Sequence, residues 1–205
     1  LFVAVSTVVL WLAINATNCT DGVDGLAGTL SMLSLLYLGG FLYMVTGHKE
    51  VAAYLLIAHN PEGATWAILT FCWVGTLAGY LWYNAEPSRL LMGDAGSRPL
   101  GLLVGVAVMM SGNPFLILVV APIVLANGGT GLFKVALLRL FRQMGISTCA
   151  QTGHVAARVL HRIRFPLHDH CRRNLGWSNA QVLMRFALLQ ALLTPLLLVL
   201  LIKLR

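Results

Sequence analysis

Two carboxylates three residues apart, each followed by glycine, stand in the run Asn15-Ala-Thr-Asn-Cys-Thr-Asp-Gly-Val-Asp-Gly-Leu-Ala-Gly28. Asp21 and Asp24 can bind a hard cation or exchange a proton, and the glycines after them let backbone and ligand approach closely. If the pair opens a helix, the two acids share a face, and that helix end favours the phosphate or carboxylate groups of a ligand. The plainer alternative is a helix cap at a membrane interface, a common place for Asp. A calcium loop of the EF-hand type does not fit, because the position that should carry a bidentate Glu is Met32.

A second group lies in Asn84-Ala-Glu-Pro-Ser-Arg-Leu-Leu-Met-Gly-Asp-Ala-Gly-Ser-Arg-Pro-Leu-Gly101. Asp94 sits between Gly93 and Ala95-Gly96, where a turn could aim its carboxylate at magnesium, an ion that commonly takes one or two carboxylates plus substrate phosphates. No Gly-Lys-Ser/Thr follows, so this is not a Walker P-loop, and an ordinary Gly-Pro turn is the alternative. The third group is Arg164-Phe-Pro-Leu-His-Asp-His-Cys-Arg-Arg173. On an extended segment His168 and His170 would point the same way. Phosphate contact by the cationic side chains suits this run better than zinc, which needs four ligands in a structural site. A solvated basic loop at the membrane surface would look the same locally.

These groups need elements to position them, and the composition says what solvent those elements meet. Of 205 residues, 58% are hydrophobic and 10% charged, against roughly a quarter charged in soluble domains. Mean hydropathy is +0.80. There is too little polar surface to cover a soluble globule, so most of the surface must face lipid. The net charge of +7 is not interleaved with surface aromatics, which speaks against nucleic acid as a partner. Cys19, Cys72, Cys149 and Cys171 lack any Cys-x-x-Cys spacing and read as free thiols. The chain opens on Leu1 with no basic stretch before its first apolar run. It reads as a spanning helix, with the chain beginning partway through a longer protein.

Apolar windows of about 20 residues fall at 1–17, 26–46, 65–83 and 181–202. The stretch 99–126 is interrupted by Ser111-Gly112-Asn113-Pro114, which predicts a hairpin of two shorter helices, 99–111 and 114–131. The expectation is an all-α polytopic integral membrane protein with about six transmembrane helices, organised as one domain over 1–205. Thr194-Pro195 should kink the last span without ending it. Residues 52–58 are apolar but too short to cross, and residues 134–164 could include an amphipathic helix on the membrane surface.

Parity then decides sidedness. Loops 18–25, 84–98 and 132–180 are each separated by two spans and share one face, together with Asp21, Asp24, Glu86, Asp94 and Asp169 and with His154, His161, His168 and His170. Most Lys and Arg residues lie there too, so the positive-inside rule makes this face cytoplasmic. The glycosylation sequons Asn15-Ala-Thr17 and Asn18-Cys-Thr20 would then go unused. Carboxylates for a metal, His and Arg for phosphate oxygens, and apolar helices alongside describe a site for a magnesium-bound pyrophosphate and a lipid substrate.

Thr20-Asp-Gly-Val-Asp-Gly-Leu-Ala27, Met92-Gly-Asp-Ala-Gly-Ser97 and Pro166-Leu-His-Asp-His170, followed by Gly176-Trp177 and Val182-x-x-Arg-Phe186, resemble in order and spacing the phospho-N-acetylmuramoyl-pentapeptide transferases. These polyprenyl-phosphate enzymes make lipid I of peptidoglycan. The resemblance covers essentially the whole chain but only the latter part of the family's ten-helix fold. It implies that Asp94 is a magnesium ligand, that Asn18, Asp21 and Asp24 line the nucleotide and phosphate site, and that Asn84 and Gly93 fall at binding positions. His168 and His170 match the outer members of a triple-histidine motif, and with Asp21 and Asp94 they make up the implied catalytic set. Asp169 stands where the family has the middle histidine, and Leu91 where a Phe would stack on uracil. The family's adjacent Asp-Asp pair does not occur in this chain.

What the resemblance implies is transfer of phospho-MurNAc-pentapeptide from UDP to undecaprenyl phosphate in the bacterial cytoplasmic membrane, releasing UMP, with Mg2+ as cofactor. The active face is then cytoplasmic, and a homodimer is an open alternative. Direct attack by the lipid phosphate and a two-step route through an aspartyl phosphate are both compatible with these residues. Without the upstream Asp-Asp pair the 205-residue chain alone is expected to be inactive. A related UDP-aminosugar-1-phosphate transferase is the nearest rival. A non-enzymatic transporter is another, but its charges should sit near the membrane midplane.

Overall fold

The computed structural model describes residues 2–143 and 164–203. Among the described residues the regular structure is entirely helical. Five helical stretches, Phe2–Thr20, Leu26–Thr46, Gly63–Asn84, Pro122–Leu140 and Asn179–Ile202, are long and apolar enough to cross a membrane. The chain is a multi-pass membrane protein.

We number the helices α1 (Phe2–Thr20), α2 (Leu26–Phe41, prolonged by a π-turn at Leu42–Thr46), α3 (Lys49–Tyr54), α4 (Gly63–Asn84) and α5 (Gly93–Met110). Then come the short α6 (Ile117–Val120) and α7 (Pro122–Val124), a second π-turn at Leu125–Gly129, α8 (Thr130–Gln143), α9 (Leu167–Asn174) and α10 (Asn179–Lys203). The core is built where α2 packs between α4 and α10 and α1 packs along α5. Small residues permit the second of these contacts. A Cβ at Gly101 would stand 2.6 Å from the Ala13 carbonyl oxygen, and one at Gly105 2.8 Å from Leu10, so the helices approach as closely as backbone allows.

Three differences from the sequence reading bear on function. The span expected at 99–111 begins earlier, at Gly93, which lifts Asp94 out of the loop and onto the first turn of α5. The span expected at 114–131 is broken. The hairpin turn forms, with Gly112 at φ 74° and the Asn113 side chain accepting from Phe115 N–H at 3.1 Å. The helix stops again at Ala121, because Pro122 has no N–H to give. Gln190 of α10 repairs this second break. Its Oε1 accepts the Ile123 N–H at 3.0 Å, and its Nε2 donates to the Val120 carbonyl at 2.6 Å, to Ser34 Oγ at 3.3 Å and to Thr194 Oγ1 at 3.2 Å. α10 itself runs through Pro195 without ending.

The third difference concerns His168 and His170. The extended segment expected there is a helix, α9, so the two rings point to different sides of it. Pro166 lies just before its first residue, and Asp169 in the first turn with Arg172 and Arg173 in the last complement the helix dipole. Of the surface helix considered over 134–164, residues to Gln143 are helical within α8, and 144–163 lie outside the described residues. His154, His161 and Cys149 lie there too, while Cys19, Cys72 and Cys171 are free thiols.

Candidate active site

The ends of α1 and α4 and the starts of α2, α5, α9 and α10 meet at one end of the bundle. α1 closes at Thr20 and the chain turns through Asp21–Gly25, with the Asp21 N–H on the Asn18 carbonyl at 3.1 Å and the Leu26 N–H on the Val23 carbonyl at 3.0 Å. Gly25 has φ 76°, a left-handed conformation that a side chain would strain. Its N–H donates to Asn84 Oδ1 at 2.7 Å. Asn84 is buried at the end of α4, and its Nδ2 donates to the Leu90 carbonyl at 2.6 Å and to Ser88 Oγ at 3.0 Å. This one amide therefore fixes the carboxylate turn against the loop that leads to Asp94.

Asp94 is fixed from two sides. Asn18 Nδ2 donates to its Oδ1 at 3.1 Å, and Arg98 Nη2 donates to its Oδ2 at 2.8 Å. Ser97 also accepts from Asn18, at 3.4 Å. Asp21, Gly22, Val23, Asp24, Asn84, Leu91, Met92 and Gly93 line a cavity of about 280 Å³. Burial holds the Asp21 carboxyl above the usual aspartate range. A hydrogen bond from the Gly93 backbone works against this, and the like charges of Asp24 and Asp94 add to it.

Asp21 and Asp24 line the cavity and Asp94 stands close enough to add to the repulsion at Asp21; carboxylate oxygens of this kind are the hard donors that magnesium takes. Among the described residues no group of three or more His, Cys, Asp or Glu side chains could hold a metal by itself.

His168 reaches this end from α9. Its ring packs on Gly22, where a Cβ would overlap Nε2, and it is 5% exposed. Burial holds its imidazole below the ordinary histidine range, with Asp169 opposing and Arg172 adding to the effect. Asn127, in the π-turn, is the partner that the sequence reading missed. Its Oδ1 accepts the His168 backbone N–H at 2.9 Å, and its Nδ2 reaches Thr20 Oγ1 at 3.2 Å. The available signal was Leu125-Ala-Asn-Gly-Gly129, an amide and two glycines inside an apolar span. His170 is not on the cavity. Its Nδ1 accepts the Arg164 N–H at 3.3 Å, and neighbouring Asp169 pairs with Arg173 at 2.7 Å. Also missed were the link from Asn179 Nδ2 to Glu86 Oε1 at 3.0 Å and the Arg185 guanidinium, 4.1 Å over the Trp177 ring.

Asp21, Asp24, Asp94, Asn18, Asn84, Gly93 and His168 are thus assembled at one end of the helices, although Asn18 and Asp94 alone are 76 residues apart. Beside them, sharing Leu91 and Met92, lies a mainly apolar cavity of about 380 Å³ between α4 and α5 that includes Trp73, Leu77 and Tyr80. Fold and site define a polytopic membrane protein with an acidic pocket at the helix ends and an apolar chamber next to it.

Comparison with known proteins agrees. Residues 1–112 match the glycosyl transferase family 4 model, and the chain belongs to that family. It is 54% identical over 205 residues to a protein named phospho-N-acetylmuramoyl-pentapeptide-transferase from Treponema pallidum (strain Nichols), covering 100% of this chain and 53% of that protein. A protein of the same name from Nautilia profundicola is 33% identical over 171 residues, 83% of this chain and 43% of its own length. One from Protochlamydia amoebophila is 34% identical over 148 residues, 72% and 32% respectively. The chain spans about half the length of the Treponema relative, 53%.

Proposed function

We propose that this chain forms the site-bearing portion of an enzyme that transfers phospho-MurNAc-pentapeptide from UDP to undecaprenyl phosphate, giving lipid I and UMP. The observation that carries the reading is the cavity bounded by Asp21, Asp24, Asn84 and Gly93, with Asn18 holding Asp94 at its edge. The apolar chamber sharing Leu91 and Met92 supports a substrate that is charged at one end and hydrocarbon at the other. The names of the relatives support the specific sugar.

In the direct route a phosphate oxygen of the lipid bonds to the sugar-linked phosphorus while the bond from that phosphorus to the UMP oxygen breaks. In the two-step route an Asp carboxylate oxygen makes that attack and expels UMP, and a lipid phosphate oxygen then bonds to the same phosphorus and frees the carboxylate. Bound Mg2+ would supply charge neutralisation at the pyrophosphate, with Asp94 as its protein ligand and Asp21 or Asp24 nearby. The polar residues do the remaining work. Asn84 and Asn18 keep the two acidic turns in register, so the carboxylates need not reorganise as phosphoryl charge redistributes. His168 lies against the same turn, and His170 is more remote and supports the loop through Arg164.

Positive charge on this end of the bundle supports orientation toward the cytoplasm in a bacterial cytoplasmic membrane. A transporter would keep its charged groups near mid-membrane, whereas Asp21, Asp24 and Asp94 lie at helix ends. The test is UMP release by the full-length protein in lipid nanodiscs with magnesium and undecaprenyl phosphate, using UDP-MurNAc-pentapeptide and UDP-GlcNAc in parallel. Turnover of the first alone is expected. Turnover of UDP-GlcNAc alone would assign the related aminosugar reaction, and turnover of neither would overturn the enzyme reading.

A further inference from the structure

The buried contact between Asn127 and His168 carries information about where the imidazole proton sits. Asn127 is wholly buried, so each of its hydrogen-bonding groups needs a partner. Its oxygen is identified without ambiguity, because the His168 backbone N–H can only donate, and it donates to Oδ1 at 2.9 Å. Its nitrogen has two protons. Thr20 Oγ1 donates its own proton to the Ala16 carbonyl at 2.8 Å and therefore accepts one of them at 3.2 Å.

The second Nδ2 proton faces His168 Nδ1 at 3.1 Å. Nδ1 also lies 3.2 Å from Asn127 Oδ1, so two arrangements compete. If Nδ1 carried the proton and gave it to Oδ1, the second Nδ2 proton would be stranded in a buried site, desolvated and without an acceptor. If Nδ1 is bare, it accepts from Nδ2, and both protons and the oxygen of the Asn127 amide are satisfied. Burial also disfavours a second proton on the ring.

We infer that Asn127 is a positioning residue that holds His168 as the neutral tautomer with its proton on Nε2, facing Gly22 and the Asp21–Asp24 turn. Resting on the proposed function, this makes His168 a hydrogen-bond donor to a phosphate oxygen in the neighbouring cavity. It does not make His168 a base, because the lone pair of the neutral ring is already taken by the amide. Gly22 is required for this arrangement, since a Cβ there would occupy the place of Nε2.

The measurement is nitrogen-15 NMR of full-length protein carrying labelled histidine, in nanodiscs at neutral pH, with the His168 signals identified by their loss in His168→Gln. A bare Nδ1 and a protonated Nε2 are expected. Asn127→Asp offers only acceptors and should move the proton to Nδ1. Asn127→Ala should give a mixture of tautomers. A protonated Nδ1 in the parent protein overturns the inference, and this outcome does not depend on either variant folding. A parent-like spectrum in both folded variants overturns the role of Asn127. The spectrum reads the tautomer whether or not UMP is released, so failure here and failure of the proposed function are separate results.

Discussion

Two polar clusters within this apolar chain have opposite character. Around Gln190 every strong group is used. The helix break at Ala121-Pro122 exposes an N–H and a carbonyl, and one amide side chain answers both while also reaching Ser34 and Thr194. Gln190, Ser34 and Thr194 are fully buried. Around Asp21 and Asp94 the groups are not used up. Carboxylates face carboxylates, Asp21 is held in a half-buried position that raises its affinity for a proton, and the Asp94 side chain is 73% exposed although bonded on both oxygens. A saturated cluster serves the fold. An unsaturated one keeps like charges facing one another, which is the character of the site proposed for the substrate.

The sharpest way to break this contrast is Asp94→Asn in the full-length protein. Turnover should fall by about 10²–10³-fold, the loss typical of removing one preorganised electrostatic partner, while circular dichroism and unfolding midpoint stay near parental values. Near-normal UMP release at limiting magnesium would remove Asp94 from the site. Gln190→Leu should do the reverse. Leaving the Ile123 N–H and Val120 carbonyl buried without a partner should cost about 1–3 kcal/mol of stability, read from detergent unfolding, and an unchanged midpoint would show that the break is repaired otherwise.

A smaller effect sharpens the electrostatic side. The folded state raises the Asp21 pKa, so above the ordinary aspartate range the folded protein holds a charge that the unfolded chain holds more comfortably. This penalty is absent below the unfolded pKa and complete above the folded one. Asp21→Asn should therefore raise the unfolding midpoint at neutral pH, with the gain shrinking as pH falls toward the ordinary aspartate value. A gain that grows on acidification would contradict the assigned sign. Smallest is Arg98→Gln. Its ion pair with Asp94 spans one helical turn and is largely solvated, so the stability change should stay within about 0.5 kcal/mol. A thermal-shift loss well beyond that would mean the pair is more enclosed in the complete protein.

Much of this was legible from sequence because lipid leaves so few places for charge. Asp21, Asp24, Asn84 and Asp94 could be assigned to one end by counting crossings, and the structure brings the first three to one cavity with Asp94 held beside it by Asn18. The helix break at Pro122 was not legible. A proline in an apolar run only says that a hydrogen bond is missing, and the answer to it, Gln190, comes from 67 residues away. The orientation of His168 and His170 was misread for a related reason. A short polar stretch after a proline does not reveal its period, and α9 exists because Asp169, Arg172 and Arg173 suit its ends. Asn127 escaped notice since its significance lies wholly in contacts with Thr20 and His168, 107 and 41 residues away.

That same chain of three residues sets a schedule for biosynthesis. Thr20 leaves the ribosome before Asn127, and Asn127 before His168, which precedes α10. The helices carrying Asp21, Asp24 and Asp94 can pack, α1 on α5 and α2 on α4, before the imidazole that rests on Gly22 has been made. Within this chain the acidic turn is thus made before the short helix that covers it, and the pocket acquires its roof only when His168 arrives.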